Sequence, residues 1–192
     1  GALQAGAIDE GAGRRWNISW HAIANWIGIH ENAAGARRFE PVRALGLRAR
    51  VHGVRYPDPA VEELEGAGTR YQGWLANYAV PAVFSRFTAT IHIPRQPYLR
   101  MLPGIPTIRM FEALACAMPL VSCRWDDCEG LFSAGEDYIA VDSPDGMMKA
   151  LSAIVEDGAL RRELATHALN TIQSRHTCAH RVDELMAIAG SI

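Results

Sequence analysis

Short apolar runs alternate with helical repeats along most of this chain, and that alternation limits its fold more than any other feature. LRARVHGV (Leu47–Val54), TRYQGWL (Thr69–Leu75), ATIHIP (Ala89–Pro94), the run Pro119–Cys123 and YIAVD (Tyr138–Asp142) have the length and composition of strands. HAIANWIG (His21–Gly28) reads as an earlier strand ending at a glycine. Between the strands lie helical patterns. GARRFEPVRALG (Gly35–Gly46) is one, although Pro41 is awkward in a helix interior. DPAVEELEGAG (Asp58–Gly68) has Asp58 as a candidate N-cap and Pro59 at the first helical position. YAVPAVFSRF (Tyr78–Phe87) is a helical turn, and Thr107–Ala117 a fuller helix. SPDGMMKALSAIVEDG is capped by Ser143, opened by Pro144 and expected to stop at Gly158. Ala159–Ser174 and Thr177–Ala189 read as two final helices. Strands and helices in this order predict an α/β fold: a Rossmann-like parallel sheet with helices on both faces.

The remaining properties fit one such domain. Residues 1–20 are rich in Gly and Ala without a period, so they are expected to be a poorly ordered leader or linker, with the domain at 21–192. A chain of 192 residues with 49% hydrophobic and 21% charged content can bury a sizeable core. A net charge of -2 gives no electrostatic case for nucleic acid or an anionic membrane. Residues 1–100 carry 12 basic and 8 acidic side chains, and the rest 7 and 13, so the first half suits a phosphate better. Lys149 is the only lysine, which reflects composition bias more than chemistry. Cys116, Cys123, Cys128 and Cys178 form no C-x-x-C pair and read as reduced thiols of a cytoplasmic protein. No run has the length of a membrane-spanning helix, and no signal peptide opens the chain. The triplet Asn17-Ile18-Ser19 fits a glycosylation sequon, a pattern common by chance.

The chemistry concentrates in GIPTIRMFEALACAMPLVSC (Gly104–Cys123). In a doubly wound sheet, ligands bind at strand carboxyl ends beside helix N-termini. The helix Thr107–Ala117 follows Pro103, Gly104 and Pro106, and Arg109 falls in its first turn. Unpaired N–H groups at Thr107 and Ile108, with Arg109, suit a diphosphate, and Glu112 one turn on suits a ribose diol. Phe111, Leu114, Ala115 and Met118 are expected on the apolar face, with Arg109, Glu112 and Cys116 on another. The competing reading is an ordinary Arg–Glu ion pair on a solvated face.

FEALACAMPLVS, with YQGWLANYAVPAVFSRFTATIHIP before it and EGLFSAGEDYIAVDSPDGMMKAL after it, resembles the C-terminal half of GT-B glycosyltransferases. The likeness is nearest to the spore-maturation-type, family-1-like branch and covers roughly Trp26–Ile188. It implies that the domain holds a nucleotide-sugar donor while an absent N-terminal Rossmann domain holds the acceptor. It also implies that no metal or other cofactor is bound. Glu112 matches the ribose-binding glutamate that closes the family's E-x7-E motif, and Gly73-Trp74-Leu75 matches the turn that touches the nucleobase. Glu129, before GLF, matches the glutamate of the next loop, and RHTCAHRVDEL the terminal helix that packs towards the other domain. Three positions depart from the pattern. Gly104 stands where the first acid of E-x7-E belongs, Ala117 stands at a usual glycine, and GIHENAAG (Gly28–Gly35) is a weak form of the glycine-rich first loop.

His92 and Arg95, at the end of a strand, are further candidates for donor contact, His92 equally so for packing. Trp74 is the one tryptophan assigned to the ligand, and the others are expected in the core. His176 and His180 have i,i+4 spacing, but without a third ligand they read as packing rather than zinc. Asp126, Asp127 and Glu129 read as a solvated acidic loop rather than a metal cluster. The sequence thus points to nucleotide-sugar binding for transfer to an acceptor hydroxyl. A non-catalytic nucleotide- or partner-binding module and a nucleotide-sugar epimerase are the alternatives.

Overall fold

The computed structural model describes residues 17–21, 48–53, 58–66, 69–93 and 104–191. Six strands form one sheet among them: β1 (Asn17–His21), β2 (Arg48–His52), β3 (Thr69–Tyr71), β4 (Ala89–His92), β5 (Leu120–Cys123) and β6 (Ile139–Val141). All neighbours pair parallel, in the order β3-β2-β1-β4-β5-β6. The chain steps outward from β1 to β3, then returns to lay β4 on the other side of β1. That reversal is the crevice-forming switch point of a doubly wound sheet.

The described helices are α1 (Asp58–Gly66), α2 (Val80–Phe84), α3 (Ile108–Ala115), α4 (Pro144–Glu156), α5 (Gly158–Arg175) and α6 (Cys178–Gly190), with a 3-10 turn at Asn77–Ala79. Alternation along the strands feeds two cores, because successive side chains point to opposite faces. Ala49, Val51, Ala89, Ile91 and Val121 meet Leu64 of α1 and Met147, Leu151 and Ile154 of α4 on one face. Leu120 meets Val80 and Phe84 of α2 and Met110, Ala113 and Leu114 of α3 on the other. Helix α5 serves both: Leu164 joins the first cluster, Ala168 and Ile172 the second.

The expected sheet is present, with differences in its details. The first strand is Asn17–His21, so the final residues of the expected leader lie in the centre of the sheet. Nothing else in 1–46 lies within the described residues, including the expected helix Gly35–Gly46 and the loop Gly28–Gly35. Gly158 does not end a helix. Asp157 ends α4 and caps α5, its carboxylate accepting from Ala159 and Leu160 N–H, so the next helix starts at Gly158 itself. Ser143 caps α4 as its spacing indicates, accepting from Gly146 N–H. In α3 the buried residues are Met110, Ala113 and Leu114, while Ala115 is exposed. His176 and His180 do not share a helical face. His176 caps the end of α5, and His180 pairs with Thr177 in the capping box that opens α6.

Helix α3 ends in a paired-bond turn. Met118 N–H reaches Ala113 C=O at 3.0 Å and Ala117 N–H reaches Leu114 C=O at 3.0 Å, the double closure of a Schellman motif. Ala117 takes φ 52°, the left-handed region that the resemblance fills with glycine. The motif therefore forms with a β-carbon present, at a steric cost.

Candidate functional site

Three elements meet at the carboxyl edge of the sheet next to the switch point: the end of β4, the N-terminus of α3 and the end of β5. His92 closes β4, in register with Ser122 of β5. It is buried, at 7% exposure, and both ring nitrogens are engaged. Nδ1 lies 2.9 Å from Ser122 Oγ, and Nε2 lies 2.8 Å from Thr107 Oγ1. Burial, and then the nearby Arg109 cation, push its pKa down to about 4, so the ring is neutral near pH 7. The side chain read as an even choice between ligand contact and packing is thus a brace between two strands and the helix start.

Thr107 is the N-cap of α3, yet its side chain makes no capping bond. Met110 N–H turns back to Thr107 C=O at 3.1 Å, and no side chain of the N-cap takes up the donors of Ile108 and Arg109 before it. Exposed Ile108 and half-buried Arg109 follow. Arg109 Nη1 donates to Glu112 Oε2, forming the i,i+3 ion pair of the bland reading. Both partners keep about a fifth of their surface exposed, at 20% and 23%, so each can reach a ligand by exchanging partners.

The approach to this helix contains Gly104 at φ 89°. A β-carbon there would lie 2.6 Å from Cys128 Sγ and 2.8 Å from the Asp126 carbonyl. The position of the family's first acid is therefore closed to any side chain, because the β5–β6 loop lies against it. That loop is ordered by Asp127, whose carboxylate accepts from Leu131 and Phe132 N–H. Asp127 is thus a loop organiser, and Glu129 stands exposed on the turn Asp127–Gly130. Among the described residues no group of three His, Cys, Asp or Glu side chains could hold a metal ion.

The turn after β3 is tied to β2 by Gly53 N–H to Gly73 C=O, 2.8 Å, and by the Tyr71 hydroxyl to Gly53 C=O, 2.8 Å. Gly73 has φ 68°, which turns the chain and leaves Trp74 69% exposed. Leu75 instead packs against the second core cluster, leaving its backbone for any contact. Arg95 lies outside the described residues. Sequence reading missed Ser122, because a serine in an apolar strand carries no signal until its in-register neighbour is known.

Outside this edge, the surface of α6 carries exposed Val182, Leu185, Met186 and Ile188, and no α6 side chain is buried. His176 packs edge-on against Phe111, with ring centroids 5.4 Å apart, and its Nε2 donates to Leu131 C=O. It is a packing residue. No described helix is long and apolar enough to cross a membrane.

The fold is that of the C-terminal, Rossmann-like half of GT-B glycosyltransferases. The chain belongs to the glycosyl transferase-like family, whose model matches residues 36–187. Solved structures agree on the fold. The C-terminal domain of LpcC, a group 1 family glycosyl transferase from Francisella tularensis, matches with a TM-score of 0.62 at 13% identity, over 85% of this chain and 87% of that one. Anabaena HepE in complex with UDP-glucose matches with a TM-score of 0.72 at 13% identity, over 93% of this chain and 49% of that one. TarM matches with a TM-score of 0.65 at 9% identity, over 93% and 36%. This chain spans about half the length of HepE. A search of curated proteins returned no match.

Proposed function

We propose that this domain binds the nucleotide-sugar donor of a glycosyltransferase, with the diphosphate at the N-terminus of α3 and the ribose on Glu112. The observation that carries the reading is the Arg109–Glu112 pair in the first turns of an uncapped helix beside the switch point. Helix N–H groups and a guanidinium favour an oxyanion there. Glu112, released from Arg109, can accept hydrogen bonds from two hydroxyls. The exposure of Trp74 after β3 supports a role for it in stacking on the base. The UDP and UDP-glucose bound in HepE make a uridine nucleotide the first candidate.

In the transfer, the acceptor oxygen bonds to the anomeric carbon as the bond to the nucleoside diphosphate breaks, and the acceptor proton passes to a base. This chain's part is to hold the leaving diphosphate while its negative charge grows. The acceptor and any base would come from a second Rossmann domain packed on the exposed apolar side of α6. The closed Gly104 position favours one alternative, a binding module without transfer, since no acid can contact the sugar there.

Calorimetry with UDP, uridine and inorganic phosphate tests the site. UDP is expected to bind more tightly than uridine, and equal affinities would remove the diphosphate from α3.

A further inference from the structure

Building on the nucleotide site at α3, we propose that His92 fixes Thr107 as a hydrogen-bond acceptor, so that Thr107 meets a hydroxyl of the ligand and not its diphosphate. The argument follows the protons. Ser122 Oγ lies 2.8 Å from the Cys123 carbonyl, which can only accept, so the single Ser122 proton is committed there. Ser122 must then accept at 2.9 Å from His92 Nδ1, which places the imidazole proton on Nδ1. Neutral His92 has one ring proton, so Nε2 presents a lone pair. The Thr107 hydroxyl, 2.8 Å away, donates to it.

Every donor in this chain therefore points inward, from Thr107 to His92, to Ser122, to the Cys123 carbonyl. Thr107 is left half-buried at the start of α3 with its proton spent and only oxygen lone pairs remaining to meet a ligand. The same oxygen does not cap the helix. A phosphate oxygen would meet lone pair against lone pair there. A ribose or sugar hydroxyl would find an acceptor. The arrangement divides the mouth of α3 into a donor side, made by the backbone N–H groups and Arg109, and one acceptor atom, Thr107 Oγ1. His92 touches no ligand and acts through Thr107 as a positioning residue.

Two measurements on the intact chain test this. Nitrogen-15 spectroscopy of the histidine rings should show His92 neutral and protonated on Nδ1 from pH 6 to 8. An Nε2–H ring would overturn the proposal and leave the nucleotide site standing. Thr107→Val should then weaken ligand binding by roughly tenfold, the size of one lost hydrogen bond, while Thr107→Ser stays close to wild type. A deficit with UDP-glucose and not with UDP identifies a sugar hydroxyl. A deficit with both that is missing with pyrophosphate and with the deoxyribose analogues identifies a ribose hydroxyl. A deficit with pyrophosphate, or none with any probe that the wild type binds, overturns the proposal. Failure of the wild type to bind UDP, UDP-glucose, GDP or GDP-mannose removes the nucleotide site and this inference together.

Discussion

Gly104 and Ala117 bracket α3 and carry opposite backbone errors. Gly104 has a positive φ and no room, so Gly104→Glu will not restore a missing acid. Overpacking and left-handed strain should cost about 2–4 kcal/mol in denaturant unfolding, and Gly104→Ala should already show most of the loss. Ala117 has a positive φ and a side chain it does not need. Ala117→Gly should stabilise by roughly 0.5–1 kcal/mol, the left-handed strain relieved less the unfolded-state entropy gained. Glu112→Ala should leave the melting temperature close to wild type, because a partly exposed pair contributes little. The same change should weaken UDP binding by roughly 1–3 kcal/mol in calorimetry. At this scale the sequence exposed Arg109 and Glu112 through their spacing. It concealed the geometry around Gly104, since Cys128 and Asp126 come from a loop more than twenty positions on.

The elements are held by two polar ties, one buried and one half-exposed, with opposite responses to pH. His92 links β4, β5 and α3 as a neutral ring whose pKa is lowered to about 4. Its contribution is complete above the ordinary histidine pKa and is lost as pH falls towards 4. The full loss is of the order of 3 kcal/mol by linkage. A His92→Asn variant should show a flatter stability profile from pH 7 to 4 than the wild type in denaturant titrations. His167 of α5 donates to Asp137 at 2.8 Å, and its pKa is raised, first by that hydrogen bond. Its contribution is present below the ordinary histidine pKa and is lost as pH rises through the raised value. His167→Gln should therefore narrow its stability deficit as pH increases, read from melting temperatures. Asp137 is buried, and also accepts from Ser133 N–H and the Thr171 hydroxyl, so it fastens the β5–β6 loop onto α5. Local signals announced the elements themselves: Ser143 before Pro144 for α4, and the apolar run for β5. These ties were not legible, because they join residues fifteen to thirty-four positions apart whose meeting depends on strand order. The Gly158 misreading has a local cause. A glycine after a helix reads as a stop unless the aspartate before it already caps the next one.

At the scale of the molecule, the parallel sheet followed from the alternation of strands and helices. The position of β1 did not, because Asn17–His21 sits in a stretch with no apolar period of its own. Helix α6, which the resemblance has packing towards another domain, exposes Val182, Leu185, Met186 and Ile188. A group of exposed apolar side chains on a terminal helix suits a surface that another body covers. The chain by itself is expected to transfer no sugar from a panel of nucleotide sugars to simple acceptors, since a GT-B reaction needs the acceptor placed against the donor. Turnover by the isolated chain would contradict this, and turnover only with an N-terminal GT-B domain added in trans would support it. Helix α5, inserted into both cores, bears on how the domain comes apart. With Leu164 in one layer and Ile172 in the other, neither layer can open without dislodging the same rod. Amide hydrogen exchange should therefore show the middle of α5 and the strand β5 opening in a single event, with matching protection and the same sensitivity to denaturant.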